Sequence, residues 1–123
     1  HQETKGALEK CQFDGAFIYK YSVRPGTPAS KLTDDVPEEV KSRRHLELLT
    51  LQRQITEKRS RALLGKISTV FVDGRQTDSP AEQVGRTDQD RRVIFGSEED
   101  LAGKFIRVEF TGLYHETFRG RRV

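Results

Sequence analysis

What most restricts the fold is a change of hydrophobic period at Gly65. Beyond it the repeat is two: Ser68, Val70 and Val72 alternate with Ile67, Thr69 and Phe71, and Asp73-Gly74 then marks a turn. Residues 75–82 are polar and read as a loop, and further short strands are predicted over 83–87, 91–95, 104–112 and 116–121. In the 104–112 segment Ile106, Val108 and Phe110 take the inward positions and Arg107 and Glu109 the outward ones. Five short strands separated by Gly and Asp turns predict a small antiparallel β-barrel of the OB type.

Ahead of Gly65 the pattern is mostly helical, so the fold class expected for the whole chain is α+β. Residues 2–12 carry Ala7, Leu8 and Cys11 at helical spacing and are closed by Phe13-Asp14-Gly15. Residues 16–22, Ala-Phe-Ile-Tyr-Lys-Tyr-Ser, are aromatic and β-branched and lie between Gly15 and Pro25, which predicts a buried parallel strand. The Pro- and Gly-bearing stretch 23–28 is an irregular loop leaving that strand. Asp34-Asp35-Val36-Pro37-Glu38-Glu39 starts a long helix running to about Leu64, with the two aspartates as capping residues. Leu48, Leu51, Ile55 and Ala62 form its apolar stripe, widened by Leu46 and Leu49, and His45 falls on its surface. The domains expected are therefore 1–62 and 63–123. Only 33% of the residues are hydrophobic and an equal 33% are charged, so one core spanning the chain would be thin and a helix-linked arrangement is expected. Residues 1–33 are expected to be weakly anchored. A chain opening on His1 in polar, helix-like sequence is expected to be cut from something longer.

Several function classes drop out on composition. Cys11 is the single cysteine, so neither a disulfide framework nor a protein-ligated iron–sulfur cluster can form, and packing is the role expected of it. His1, His45 and His115 lack partners at metal-ligand spacing, and no metal site is expected. No apolar run reaches membrane-spanning length and no apolar core follows His1–Lys5, so neither a membrane span nor a signal peptide is expected and the cytoplasm is the default location. GxSxG, a glycine-rich phosphate loop and HExxH are all missing. The net charge of +3 arises in residues 1–62, which hold 12 basic and 9 acidic residues, whereas residues 63–123 hold 10 of each. Bulk charge therefore cannot carry nucleic-acid binding by the barrel, and local placement must.

Two groupings carry chemistry. The loop Ser22-Val23-Arg24-Pro25-Gly26-Thr27-Pro28 is rigid and follows an apolar strand, so Arg24 can aim its guanidinium at a carboxylate or phosphate in a pocket or pair with a nearby acid. In the second half Gly85-Arg86-Thr87, Arg91-Arg92, Arg119, Arg121 and Arg122 sit on turns and strand ends. There they can contact RNA phosphates, with Phe71, Phe95, Tyr114 or Phe118 as stacking platforms, or simply be solvated.

Residues 13–29, then Asp34-Asp35-Val36-Pro37-Glu38-Glu39-Val40-Lys41 with Arg44, closely resemble the last part of the radical S-adenosylmethionine domain of bacterial tRNA methylthiotransferases. The resemblance continues through Leu51-Gln52, Gly65, Gly85-Arg86-Thr87, Val93, Phe95, Gly103-Lys104-Phe105 and Arg119-Gly120, where it is to the TRAM domain, a small RNA-binding β-barrel. Tyr21-Ser22 with Arg24-Pro25-Gly26-Thr27 resembles the MiaB branch, which methylthiolates N6-isopentenyladenosine next to the anticodon. The family's whole enzyme is implied to carry two 4Fe-4S clusters and S-adenosylmethionine. This chain lacks the cluster cysteines, so the resemblance implies that it binds none of these by itself and is inactive alone. A stand-alone RNA-binding module is the alternative. The resemblance implies a helix, strand and long helix left from a partial α/β barrel, then the TRAM barrel. Tyr21, Ser22, Arg24 and Thr27 would rim the substrate or cofactor pocket, and Lys66, Arg86, Thr87, Arg91, Arg92 and Arg119 would bind RNA. The partners implied are a tRNA anticodon stem-loop and the amino-terminal domains of the same enzyme, with no membrane and no DNA.

Overall fold

Helix α1 occupies Gln2–Cys11 and stops at Gln12, which takes a left-handed conformation (φ 52°) and donates its N–H to Leu8 O at 3.0 Å. The computed structural model describes residues 1–123 and divides into two compact units, His1–Thr56 and Glu57–Val123. Helix α2, Glu38–Arg61, runs through the division, so the long helix is shorter at both ends than 34–64. Pro37 accounts for the start, because its carbonyl takes the first helical bonds, from Val40 and Lys41. Asp34 does not act as a cap in the expected sense: its carboxylate pairs with the Lys41 ammonium in the first turn.

In the first unit Leu8 packs with Leu48 and Ile55, with Ile18 and Leu51 partly buried against them. The apolar stripe of α2 is narrower than its sequence indicates, for Leu46 is exposed. Cys11, expected to pack, is exposed, because it is the last helical residue before the chain turns away at Gln12. The strand expected over 16–22 does not form. Those residues take no regular structure and bond to no neighbouring strand, and Phe17 is 92% exposed. A strand exists only as one member of a ladder, and this chain offers it no second member. The first twenty of residues 1–33 are nonetheless tied to α2. Gln52 donates to Phe13 O, Thr56 to Asp14 O, and His45 Nε2 lies 2.7 Å from Ile18 O. That last bond makes His45 half-buried, correcting its expected place on the helix surface.

In the second unit the five strands are β1 (Ile67–Arg75), β2 (Glu82–Thr87), β3 (Arg92–Gly96), β4 (Phe105–Tyr114) and β5 (Thr117–Arg122). They close into a barrel in the order β1-β2-β3-β5-β4. The expected five-stranded OB-like barrel forms, antiparallel at every seam but one, where β3 and β5 run parallel with Val93 opposite Phe118. Parity requires this, since an odd ring of strands cannot alternate direction at every joint. Asp73-Gly74, expected as a turn, is a bulge inside β1 between Val72 and Gly74, and the strand continues to Arg75.

The core consists of Val70, Val72, Val93, Phe95, Leu101, Ile106, Val108, Phe110 and Phe118, with Leu63 packed against it from the end of the helix. Phe110 and Phe118 stack at 4.4 Å. Gln83 is fully buried yet satisfied: its amide donates to Glu99 O and accepts from Leu101 N–H, which clasps the β3–β4 connection to β2. At Gly120 a methyl group would overlap the Val108 side chain, so the β4–β5 seam closes only around a hydrogen at that position.

Candidate nucleic-acid interface

Strand register draws one row of side chains across the outside of the barrel. Phe105 on β4 stands opposite Phe71 on β1, Phe71 opposite Arg86 on β2, and Arg86 opposite Arg92 on β3. All four are exposed, because each lies one position from a core residue and the pleat turns alternate side chains outward. The two phenyl rings are 5.1 Å apart between centroids and inclined at 53°, which leaves an open V between them. Phe105 is 72% exposed and Phe71 41%. With Ile67, Ser68, Thr69, Arg86, Thr87 and Asp88 they line a shallow pocket of about 350 Å³.

Four of the five cations expected to bind RNA fall into two groups. Arg92 and Lys66 are exposed and have no carboxylate partner, whereas Arg86 pairs with Asp90 at 2.8 Å and Arg119 pairs with Glu82. Such exposed pairs are worth about 0–1 kcal/mol, so a phosphate can displace the carboxylate at little cost. Arg92 and Arg119 also line a second pocket with Ile94, Thr117 and the exposed ring of Tyr114.

Thr87 and Arg91 are engaged inside the unit. The Thr87 hydroxyl accepts N–H bonds from Gln89 and Arg91, fixing the β2–β3 turn. The Arg91 guanidinium donates to Ser60 Oγ at 3.0 Å and lies 5.8 Å from the centre of the Phe118 ring. Of the four aromatic rings expected as platforms, Phe95 and Phe118 are core residues, which removes them; Phe71 and Tyr114 reach the surface. Phe105 and Arg107 were missed. The signal that finds them is their two-residue spacing on the outward face of β4, where Arg107 flanks Phe105 and stands opposite Thr69.

In the first unit Tyr21, Ser22 and Arg24 lie close together in the irregular segment after α1 and are all exposed. Of the two roles open to Arg24, pairing with a nearby acid is not the one observed. Thr27 staples the loop: its hydroxyl donates to Arg24 O at 2.8 Å and accepts from Ser30 N–H at the start of the short 3₁₀ turn Pro28–Lys31.

Ion pairing shifts the ionisation of three side chains. The Glu47 carboxylate bonded to Lys5 raises the lysine, and Lys20 lowers Glu38. In the barrel, Arg122 and then Lys104 hold Glu99 below the usual carboxylate range.

No protein-family model matches the chain. Curated relatives do. It is 40% identical over 124 residues to a protein of Bacteroides fragilis, 38% over 110 residues to one of Carboxydothermus hydrogenoformans, and 37% over 125 residues to one of Citrobacter koseri. These alignments take in 100%, 89% and 99% of this chain but only 27%, 25% and 26% of the relatives. All three are named tRNA-2-methylthio-N(6)-dimethylallyladenosine synthase. The chain thus spans about a quarter of the length of the curated relatives it matches. No helix is long and apolar enough to cross a membrane.

Proposed function

We propose that the chain is the carboxyl-terminal part of a tRNA methylthiotransferase, on the strength of its 40% identity to such a protein, and that its barrel, a TRAM domain, is the tRNA grip of that enzyme. The enzyme would add a methylthio group to N6-isopentenyladenosine next to the anticodon. The observation that carries this reading is the outward placement of Arg86 and Arg92 on adjacent strands, opposite one another, with Arg92 free of any carboxylate. Phosphate contacts from Arg86, Arg92, Arg119 and Lys66 would set the position and register of an anticodon stem-loop, leaving choice of the base to a pocket elsewhere.

Residues 1–62 would complete the radical S-adenosylmethionine domain, with 16–22 as its last strand and Tyr21, Ser22 and Arg24 on the pocket rim. Thr27 holds the loop's shape there rather than offering its hydroxyl outward. A 4Fe-4S cluster takes three or four thiolates, and Cys11 is the only cysteine, so these residues do not fit either cluster. Radical chemistry would belong to other parts of the enzyme, in the cytoplasm, and this chain alone would be inactive.

The test is binding of an unmodified tRNA anticodon stem-loop at several salt concentrations, with a duplex DNA control. Arg92→Ala combined with Arg119→Ala should weaken binding and lower the slope of log affinity against log salt by about 1.5, since each phosphate left without its arginine lowers it by roughly 0.7–0.9. An unchanged slope removes these arginines from the interface.

A further inference from the structure

Phosphate contacts leave unexplained why two large aromatic rings stand exposed beside them. An apolar pair in water is unfavourable to the folded chain unless something covers it. Phe105 and Phe71 are flanked by Arg107 on β4 and by Arg86 on β2, so whatever lies across the rings has guanidinium groups on both sides. That pattern fits a flat apolar group carrying negative charge on either flank, which describes a nucleotide in a single strand. The rings meet at 53° rather than lying flat, so a planar base can stack on one ring while its rim touches the other. A base held in a duplex is covered on both faces by its neighbours and cannot enter.

The same pocket contains Asp88, exposed and without an ion-pair partner. A carboxylate repels phosphate and only accepts hydrogen bonds. Beside a stacked base it is suited to an exocyclic amino group, which cytosine and adenine possess and uracil lacks. We propose that the Phe105–Phe71 cleft holds one unpaired nucleobase and that Asp88 favours a base bearing an exocyclic amino group. This rests on the reading of the barrel as an RNA grip and adds a base site to it.

The experiment measures binding of the full chain to oligocytidylate and oligouridylate of equal length and charge, both pyrimidine strands, of which only the first carries the exocyclic amino group. Wild-type protein should prefer the cytidylate by about fivefold, one hydrogen bond's worth. Phe105→Leu should weaken both by about tenfold and leave the salt slope unchanged, since no charge is removed. Asp88→Ala should erase the preference. Phe105 is mostly exposed, so its replacement should not disturb folding, and thermal unfolding of the variant checks this. Undiminished binding by Phe105→Leu overturns the base site while leaving the phosphate grip intact. Loss of the salt dependence in the double arginine variant alone would instead bear only on that grip. Equal affinity for the two oligonucleotides overturns the role of Asp88. If Phe105→Leu leaves RNA binding unchanged but converts a self-associating chain to a monomer in sedimentation, the rings face a second copy and the inference fails.

Discussion

Gly120 on β5 pairs with Phe110 of β4 on one side and Phe95 of β3 on the other. An added methyl would overlap Val108, and it would stand 3.2 Å from both Glu109 O and a Val93 methyl. Val108 and Val93 are fully buried, so neither can swing aside without disturbing the core. Gly120→Ala should therefore destabilise the barrel by about 2–3 kcal/mol in chemical denaturation. Gly96→Ala meets nothing within 4 Å and should stay within about 0.5 kcal/mol of wild type. Equal effects of the two would mean that the seam yields. Residue identity also explains where the sequence was ambiguous. In β1 both faces are apolar, Val70 and Val72 on one and Ile67 and Phe71 on the other, so alternation marks a strand without saying which face is inside. Only register with β4 settles that, and register is a property of two strands.

Among the elements, the five strands were legible because each has its own alternation and ends in turn residues. The segment 16–22 carries an equally strong strand composition and forms none. Composition states a preference; a ladder needs a second backbone. Carbonyls of Phe13, Asp14 and Ile18 are taken by α2 side chains, while the amides from Phe17 to Tyr21 have no backbone acceptor. Those amides should exchange with solvent at nearly unprotected rates, in contrast to those of β4, when followed by hydrogen–deuterium exchange. Slow exchange there would reveal a strand supplied by another molecule. The exposed rings of Phe17 and Tyr19 would then be buried as well.

For the whole molecule, stability against acid should be set partly by Glu99. It joins the β3–β4 connection to Arg122 of β5 and to Lys104, and both partners lower its pKa from an ordinary value of 4.5. A carboxyl that holds its proton less tightly when folded stabilises the native state above its unfolded pKa. That contribution is lost as pH falls through the lower, folded value. Unfolding temperature should thus decline below about pH 4.5, and Glu99→Gln should flatten that decline while lowering the plateau above it slightly. An identical pH profile for the variant would assign the acid sensitivity to other groups.

The parallel seam has a consequence for what happens when the barrel is nicked. β5 touches β4 on one side and β3 on the other, and its pairing with β4 is continued through a hairpin at His115, which has a left-handed φ of 53°. A protease cutting at that exposed tip leaves β5 attached by hydrogen bonds and packing alone. If β5 then departs, two strands gain bare edges at once, and Phe110 loses the ring of Phe118 that covers it. Bare edges beside uncovered apolar surface recruit strands from neighbouring copies. A single cut at one solvent-exposed tip would thereby turn a self-contained particle into a seed for precipitation.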